Sequence, residues 1–274
     1  MTRIKICGLT RLEDVKVAVA AGADAIGLVF YPPSPRYVDL PTAAMLARAI
    51  PPFVCIVGLF VNADAATVKE TLAAVPLHVL QFHGDEDEGY CRQFSRPYLK
   101  AARVKPGMDL LQYAASFPSA QAILLDAFVE GYGGGGKVFD WSQIPPALAE
   151  SIVLSGGLDA GNVGEAIARV RPAAVDVSSG VEAAKGIKDA EKIRAFVDGY
   201  GGGGKVFDWS QIPPALAESI VLSGGLDTGN VGEAIARVRP AAVDVSSGVE
   251  AAKGIKDAEK IRAFVDAVRA ADLM

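Results

Sequence analysis

Cysteine and histidine are scarce in this chain of 274 residues: Cys7, Cys55 and Cys91 are the only cysteines, and His78 and His83 the only histidines. An odd cysteine count without Cys-x-x-Cys spacing argues against a disulfide framework, and so few sulfur and imidazole ligands argue against a zinc site. No metal is expected. The apolar runs are too short to span a bilayer, and Met1-Thr2-Arg3-Ile4-Lys5 leads straight into a strand-like segment instead of a signal peptide. The expectation is a cytoplasmic protein without a membrane partner. Clustered Lys and Arg are also missing, and the formal net charge is −5, which argues against a nucleic-acid partner. A phosphate would have to be held locally, by backbone amides.

What the chain does have is a duplication. Residues 131–198 recur as residues 199–266, and the two blocks differ only at Ala160 against Thr228. Two copies of so long a block do not make a solenoid. Removing one copy leaves about two hundred residues, enough for one domain with one core.

Short β-branched runs alternate with amphipathic stretches. Strands are predicted at Ile4–Leu9, Ala25–Phe30, Val54–Phe60, His78–His83, Tyr98–Val104, Ala122–Phe128, Ser151–Ser155 and Ala173–Val177. Helical spacing of apolar residues marks Arg11–Ala21, Ala65–Ala74, Gly161–Val170 and Ala190–Val197 between them. Alternation at this pace implies parallel strands joined by crossovers, and eight such units fit an α/β (βα)8 TIM barrel with a duplicated βα7–βα8 segment. The strand ends then converge on one rim, where active sites of such barrels lie.

Small and polar residues crowd those ends. Ser155-Gly156-Gly157 follows strand seven and Ser178-Ser179-Gly180 follows strand eight, and a short helix starting near Val181 would add its N-terminal dipole. Together they read as a phosphate cradle. Gly133-Gly134-Gly135-Gly136 lacks the Gly-Lys-Ser/Thr ending of a nucleotide loop and reads instead as a flexible lid or supplementary phosphate contact. Cys7 ends strand one and Asp126 ends strand six, the layout of a base and an acid facing each other across the barrel mouth. Arg36, on a proline-stiffened loop, has the planar fork to clamp a carboxylate. His83 closes strand four on the active rim and His78 opens it at the opposite face, while Cys55 and Cys91 read as structural.

Lys5-Ile6-Cys7-Gly8-Leu9-Thr10, Ser34-Pro35-Arg36, Leu80-Gln81-Phe82-His83-Gly84, Leu124-Leu125-Asp126, Phe139-Asp140-Trp141, Leu154-Ser155-Gly156-Gly157 and Asp176-Val177-Ser178-Ser179-Gly180-Val181-Glu182 stand in the order and spacing of one family. Once one repeat is removed, the chain resembles phosphoribosylanthranilate isomerase of tryptophan biosynthesis from end to end. The resemblance implies a cofactor-free Amadori rearrangement of N-(5-phosphoribosyl)anthranilate to 1-(2-carboxyphenylamino)-1-deoxyribulose 5-phosphate. It implies that Asp126 is the general acid and Cys7 the base. Arg36 would face the anthranilate carboxylate, Gln81 and His83 would line the substrate site, and Gly156, Gly157, Ser178, Ser179 and Gly180 would bind phosphate beside Asp176. One departure is Gly135, where the family commonly carries a threonine.

Each block repeats the sixth helix through the eighth, so Gly224, Gly225, Asp244, Ser246, Ser247 and Gly248 form a second cradle, while Cys7, Arg36 and Asp126 stay single. In one arrangement residues 1–198 close the barrel and 199–274 trail behind, with the last helix of copy one cut short at Gly199-Tyr200-Gly201. In the other, copy two closes it and 131–198 is an insertion. Hybrid registers are also open. The surplus block brings two unpaired strand edges, so self-association or segment swapping is expected. The alternative to an active isomerase is a non-catalytic or impaired duplicate of the same barrel.

Overall fold

The computed structural model describes residues 2–128, 138–199, 209, 212, 220–252 and 255–272. Gly133–Gly136 and their repeat counterparts Gly201–Gly204 lie outside these. The chain divides into two compact units, Met1–Val197 and Asp198–Met274.

In the first unit eight parallel strands close into a barrel: β1 (Arg3–Cys7), β2 (Ala25–Val29), β3 (Cys55–Phe60), β4 (Val79–Phe82), β5 (Tyr98–Val104), β6 (Ala122–Ala127), β7 (Ile152–Leu154) and β8 (Ala174–Val177). Both strands that complete the ring, β7 and β8, come from copy one. β8 pairs with β1 in a register that sets Ile4 beside Val175 and Lys5 beside Asp176.

Around the ring run α1 (Leu12–Ala21), α2 (Leu40–Arg48), α3 (Ala65–Ala74), α4 (Glu88–Arg92), α5 (Leu110–Ala115), α6 (Val163–Val170) and α7 (Ala190–Gly199). Four of them start by one device. Asp39, Asp64, Asp87 and Asp109 precede α2 to α5, and each carboxylate accepts from a backbone N–H three residues on, filling a donor the first turn leaves empty. Strands buried on both faces explain the near-continuous apolar runs, with Ile6, Ile26, Leu80, Leu124 and Val175 all fully enclosed.

Two local expectations are corrected. The sixth crossover is not an α-helix: Pro145 and Pro146 break it into two 3-10 turns, Trp141–Gln143 and Pro146–Ser151. No α-helix starts at Val181 either. Ser179–Val181 is a 3-10 turn, followed by a hairpin of β9 (Glu182–Ala184) and β10 (Ile187–Lys188). The final helix of copy one, α7, stops at Gly199.

The second unit folds by the same local rules. It contains a parallel pair β11 (Val221–Leu222) and β12 (Ala242–Val243), a hairpin of β13 (Glu250–Ala252) and β14 (Ile255–Lys256), and helices α8 (Val231–Val238) and α9 (Ala258–Asp272). Its own small core gathers Trp209, Leu222, Leu226, Val231, Val238, Val249 and Phe264. The environment nevertheless differs from that of copy one: Val153 is 6% exposed in β7 and its counterpart Val221 is 62% exposed in β11. Among the described residues no helix is long and apolar enough to cross a membrane.

Candidate active site

The C-terminal ends of the barrel strands surround a cavity of about 720 Å³ that is partly open to solvent. Cys7, Arg36, Gln81, His83, Asp126, Gly156, Gly157, Asp176, Ser178 and Ser179 all line it. Residues up to 172 positions apart in sequence thus meet in one place because parallel strands end on the same rim. Gly180 does not line the cavity. A Cβ there would lie 1.9 Å from the Leu158 carbonyl oxygen, so this glycine lets the loops after β7 and β8 pack together.

Cys7 is buried, and its thiol is held in the space that Gly27 on β2 leaves open: a Cβ at Gly27 would meet Sγ at 2.7 Å. Burial pushes the thiol pKa above its ordinary value, opposed by the positive charges of Lys5 and Lys188. Lys5 is itself buried and lies 2.8 Å from Asp176, which also accepts from Ser155 Oγ at 3.3 Å. Burial pulls the lysine pKa down, but Asp176 and Cys7 outweigh it and keep Lys5 charged.

On the opposite wall Asp126 Oδ2 sits 3.1 Å from His83 Nε2, and His83 Nδ1 is 2.9 Å from Gln81 Nε2. The other oxygen, Oδ1, faces the phosphate loop, since a Cβ on Gly156 would come within 2.9 Å of it and within 2.4 Å of the Ala127 nitrogen. Gly156 has φ +84°, a conformation glycine adopts without penalty. Asn162 Nδ2 donates to the Gly157 carbonyl at 2.9 Å and fixes that turn. Ser178 Oγ donates to the Cys7 carbonyl at 3.1 Å, which ties the second loop to β1.

Arg36 departs from expectation. Its fork is occupied by a carboxylate of this chain: Nε and Nη2 donate to Glu182 at 2.7 and 2.8 Å. Lys188 reaches the same carboxylate at 2.9 Å. Burial raises the Glu182 pKa, but the two cations more than offset it and hold the carboxyl below its ordinary range. Two of the guanidinium's five N–H donors are used this way, and Arg36 still lines the cavity. The sequence reading missed Lys5, Glu182 and Lys188 as members of this site. Lys5 and Glu182 stand inside motifs already quoted, whereas Lys188, on β10, lies outside them.

A buried thiol beside an ammonium, a carboxylic acid opposite it, and glycine-serine loops after the last two strands define a (βα)8-barrel enzyme built for acid-base work on a phosphorylated small molecule. The sequence profile described as N-(5'phosphoribosyl)anthranilate (PRA) isomerase matches residues 4–199 and matches again over 198–267. The chain belongs to that family. The N-(5'-phosphoribosyl)anthranilate isomerase of Dechloromonas aromatica (strain RCB) is 69% identical over 196 residues, spanning 72% of this chain and 94% of the relative. Among solved structures, phosphoribosyl anthranilate isomerase from Thermotoga maritima superposes with a TM-score of 0.68 at 44% identity, covering 73% of this chain and 98% of that one. A second structure of such an isomerase, in complex with reduced 1-(o-carboxyphenylamino)-1-deoxyribulose 5-phosphate, superposes with a TM-score of 0.65 at 41% identity, covering the same shares.

Proposed function

We propose that residues 1–198 carry the working site, with copy one closing the barrel. The enzyme catalyses the Amadori rearrangement of N-(5-phosphoribosyl)anthranilate to 1-(2-carboxyphenylamino)-1-deoxyribulose 5-phosphate. One observation supports this assignment of roles above the others: Cys7, Asp126 and both serine-glycine loops line one cavity.

In this reading Asp126 gives a proton to the ribose ring oxygen. The C1′–O bond breaks with its electron pair on that oxygen, which becomes a hydroxyl, and the lone pair of the anthranilate nitrogen forms C1′=N. Cys7, as thiolate, then removes the proton from C2′, and the electrons of that C–H bond flow into the Schiff base to give an enolamine, which tautomerises to the ketose. The ammonium of Lys5 favours the thiolate. Backbone amides of the loops carrying Gly156, Gly157, Ser178 and Ser179 hold the phosphate, and Arg36, oriented by Glu182, directs its free N–H groups to the anthranilate carboxylate.

The test is loss of substrate fluorescence on turnover. Cys7→Ser and Asp126→Asn should each abolish it while far-UV circular dichroism stays unchanged. Turnover by either variant at the parent rate would defeat the assignment, and an inactive parent chain would favour the impaired duplicate.

We also infer self-association through the second unit. The observation behind it is Val221, exposed on β11 where its counterpart Val153 is enclosed, together with Ile255 at 63% and Val265 at 41% exposure. A monomer mass in light-scattering chromatography across the accessible concentration range would count against it. Absence of nucleic-acid affinity and a cytoplasmic location complete the proposal.

A further inference from the structure

Gln81 is fully buried within the barrel, and its Oε1 has no hydrogen-bond partner. Its one bond among the described contacts is the 2.9 Å approach of Nε2 to His83 Nδ1. An amide nitrogen only donates, so Nδ1 must accept and the imidazole proton must sit on Nε2. As placed, the amide leaves Oε1 and one of its two N–H groups unpartnered; turning it over would leave both N–H groups so, one orphan donor more. An under-satisfied carbonyl is the milder defect. The surroundings of Gln81 therefore select one tautomer of His83.

That tautomer has a consequence for the acid. His83 Nε2–H donates to Asp126 Oδ2 across 3.1 Å, so this oxygen is occupied. Oδ1 alone is left to carry the working proton, and it is the oxygen that faces the Gly156 loop. Both side chains of the pair are sheltered, with His83 13% and Asp126 19% exposed.

We propose that Gln81 and His83 are positioning residues for the general acid: Gln81 fixes the tautomer of His83, and His83 pins the Asp126 carboxyl with Oδ1 on the Gly156 side, free to carry the proton. The proposal rests on Asp126 being the acid. When Oδ1 passes its proton to the ring oxygen, the carboxylate that remains is stabilised by the same Nε2–H bond. No proton has to move between the histidine and the aspartate, and no flip of the amide is required during the step.

Steady-state kinetics of the full chain tests this. His83→Ala should lower kcat at least about tenfold with KM held within about threefold. His83→Gln should restore most of kcat, since a glutamine amide N–H reaches the place of imidazole Nε2. Gln81→Leu should weaken kcat in the same direction by a smaller factor. A His83→Ala variant whose loss falls on KM alone overturns the proposal, as does a His83→Gln variant no better than alanine. Asp126→Asn is measured beside them: turnover retained there removes the acid assignment itself, whereas turnover lost there with His83→Ala at the parent kcat removes only the positioning role.

Discussion

Lys5 Nζ lies 2.8 Å from Asp176 Oδ1, with both side chains buried and the two residues side by side in the β1–β8 pairing. This pair sits where the ring closes and beside the thiol of Cys7, so one contact joins barrel closure to the chemistry. Asp244 holds the same place in copy two, where its neighbour is Ser223 Oγ at 3.2 Å and its side chain is exposed.

Removing Lys5 tests both functions of the pair. Lys5→Met leaves Asp176 buried and unpaired, a loss of about 3–5 kcal/mol in urea unfolding. With the ammonium gone, the Cys7 thiol loses the largest influence that opposes its burial. The rising limb of kcat/KM should move to higher pH, and an unmoved limb would show that Lys5 does not act on the thiol.

The pH dependence of the parent enzyme follows from the same thiol. Cys7 is raised above 9.0, and a base works only when deprotonated. kcat/KM should rise with pH through the neutral and mildly alkaline range, and Cys7→Ser should remove that rise along with the activity.

The two cradle glycines make a matched pair. A Cβ on Gly180 meets Leu158 O at 1.9 Å, and a Cβ on Gly248 meets Leu226 O at 1.9 Å. If copy one serves the active site, Gly180→Ala should abolish turnover and Gly248→Ala should leave it within about twofold of the parent. The reverse pattern would assign the working cradle to copy two.

Glu182 holds two buried cations, Arg36 and Lys188. Its folded pKa is depressed, so its contribution to stability is complete above its ordinary value of 4.5 and is lost as pH falls through the lower folded value. Glu182→Gln should lower stability at pH 7 and flatten its dependence on pH below 4.5, as thermal melting would show. It should also raise KM, because Arg36 loses its support.

Deleting residues 199–266 joins Asp198 to Ala267 and gives copy one the helical continuation that α9 enjoys through Asp272. Continuing a helix past its glycine stop removes a penalty of about 1 kcal/mol. The shortened protein should keep kcat/KM within about twofold and melt at a higher temperature. A large loss of activity would show that the second unit takes part in the working site.

By itself the sequence determined the alternation of strands and helices, the polar strand ends and the four aspartate caps, because each depends on residues a few positions apart. The same local logic made the second unit's helices, turns and hairpin match those of the first. It determined the sixth crossover as well, where adjacent Pro145 and Pro146 prevail over the expected helix. Only the tertiary structure decided which partner each buried charge meets. Arg36 was legible as a carboxylate clamp, yet the carboxylate it holds is Glu182, 146 residues away. His83 was legible as a rim residue, and its link to Asp126 arises from strands β4 and β6, which flank β5, ending at one mouth. The duplication marks the limit most plainly. Val153 and Val221 have identical neighbours in sequence, and one is enclosed by the barrel while the other is exposed. A barrel has one gap between β6 and β1, and which of two equal blocks fills it depends on chain connectivity and packing. The nearer block needs a connection roughly one quarter as long, an advantage of about 1 kcal/mol in loop entropy, which no local pattern records.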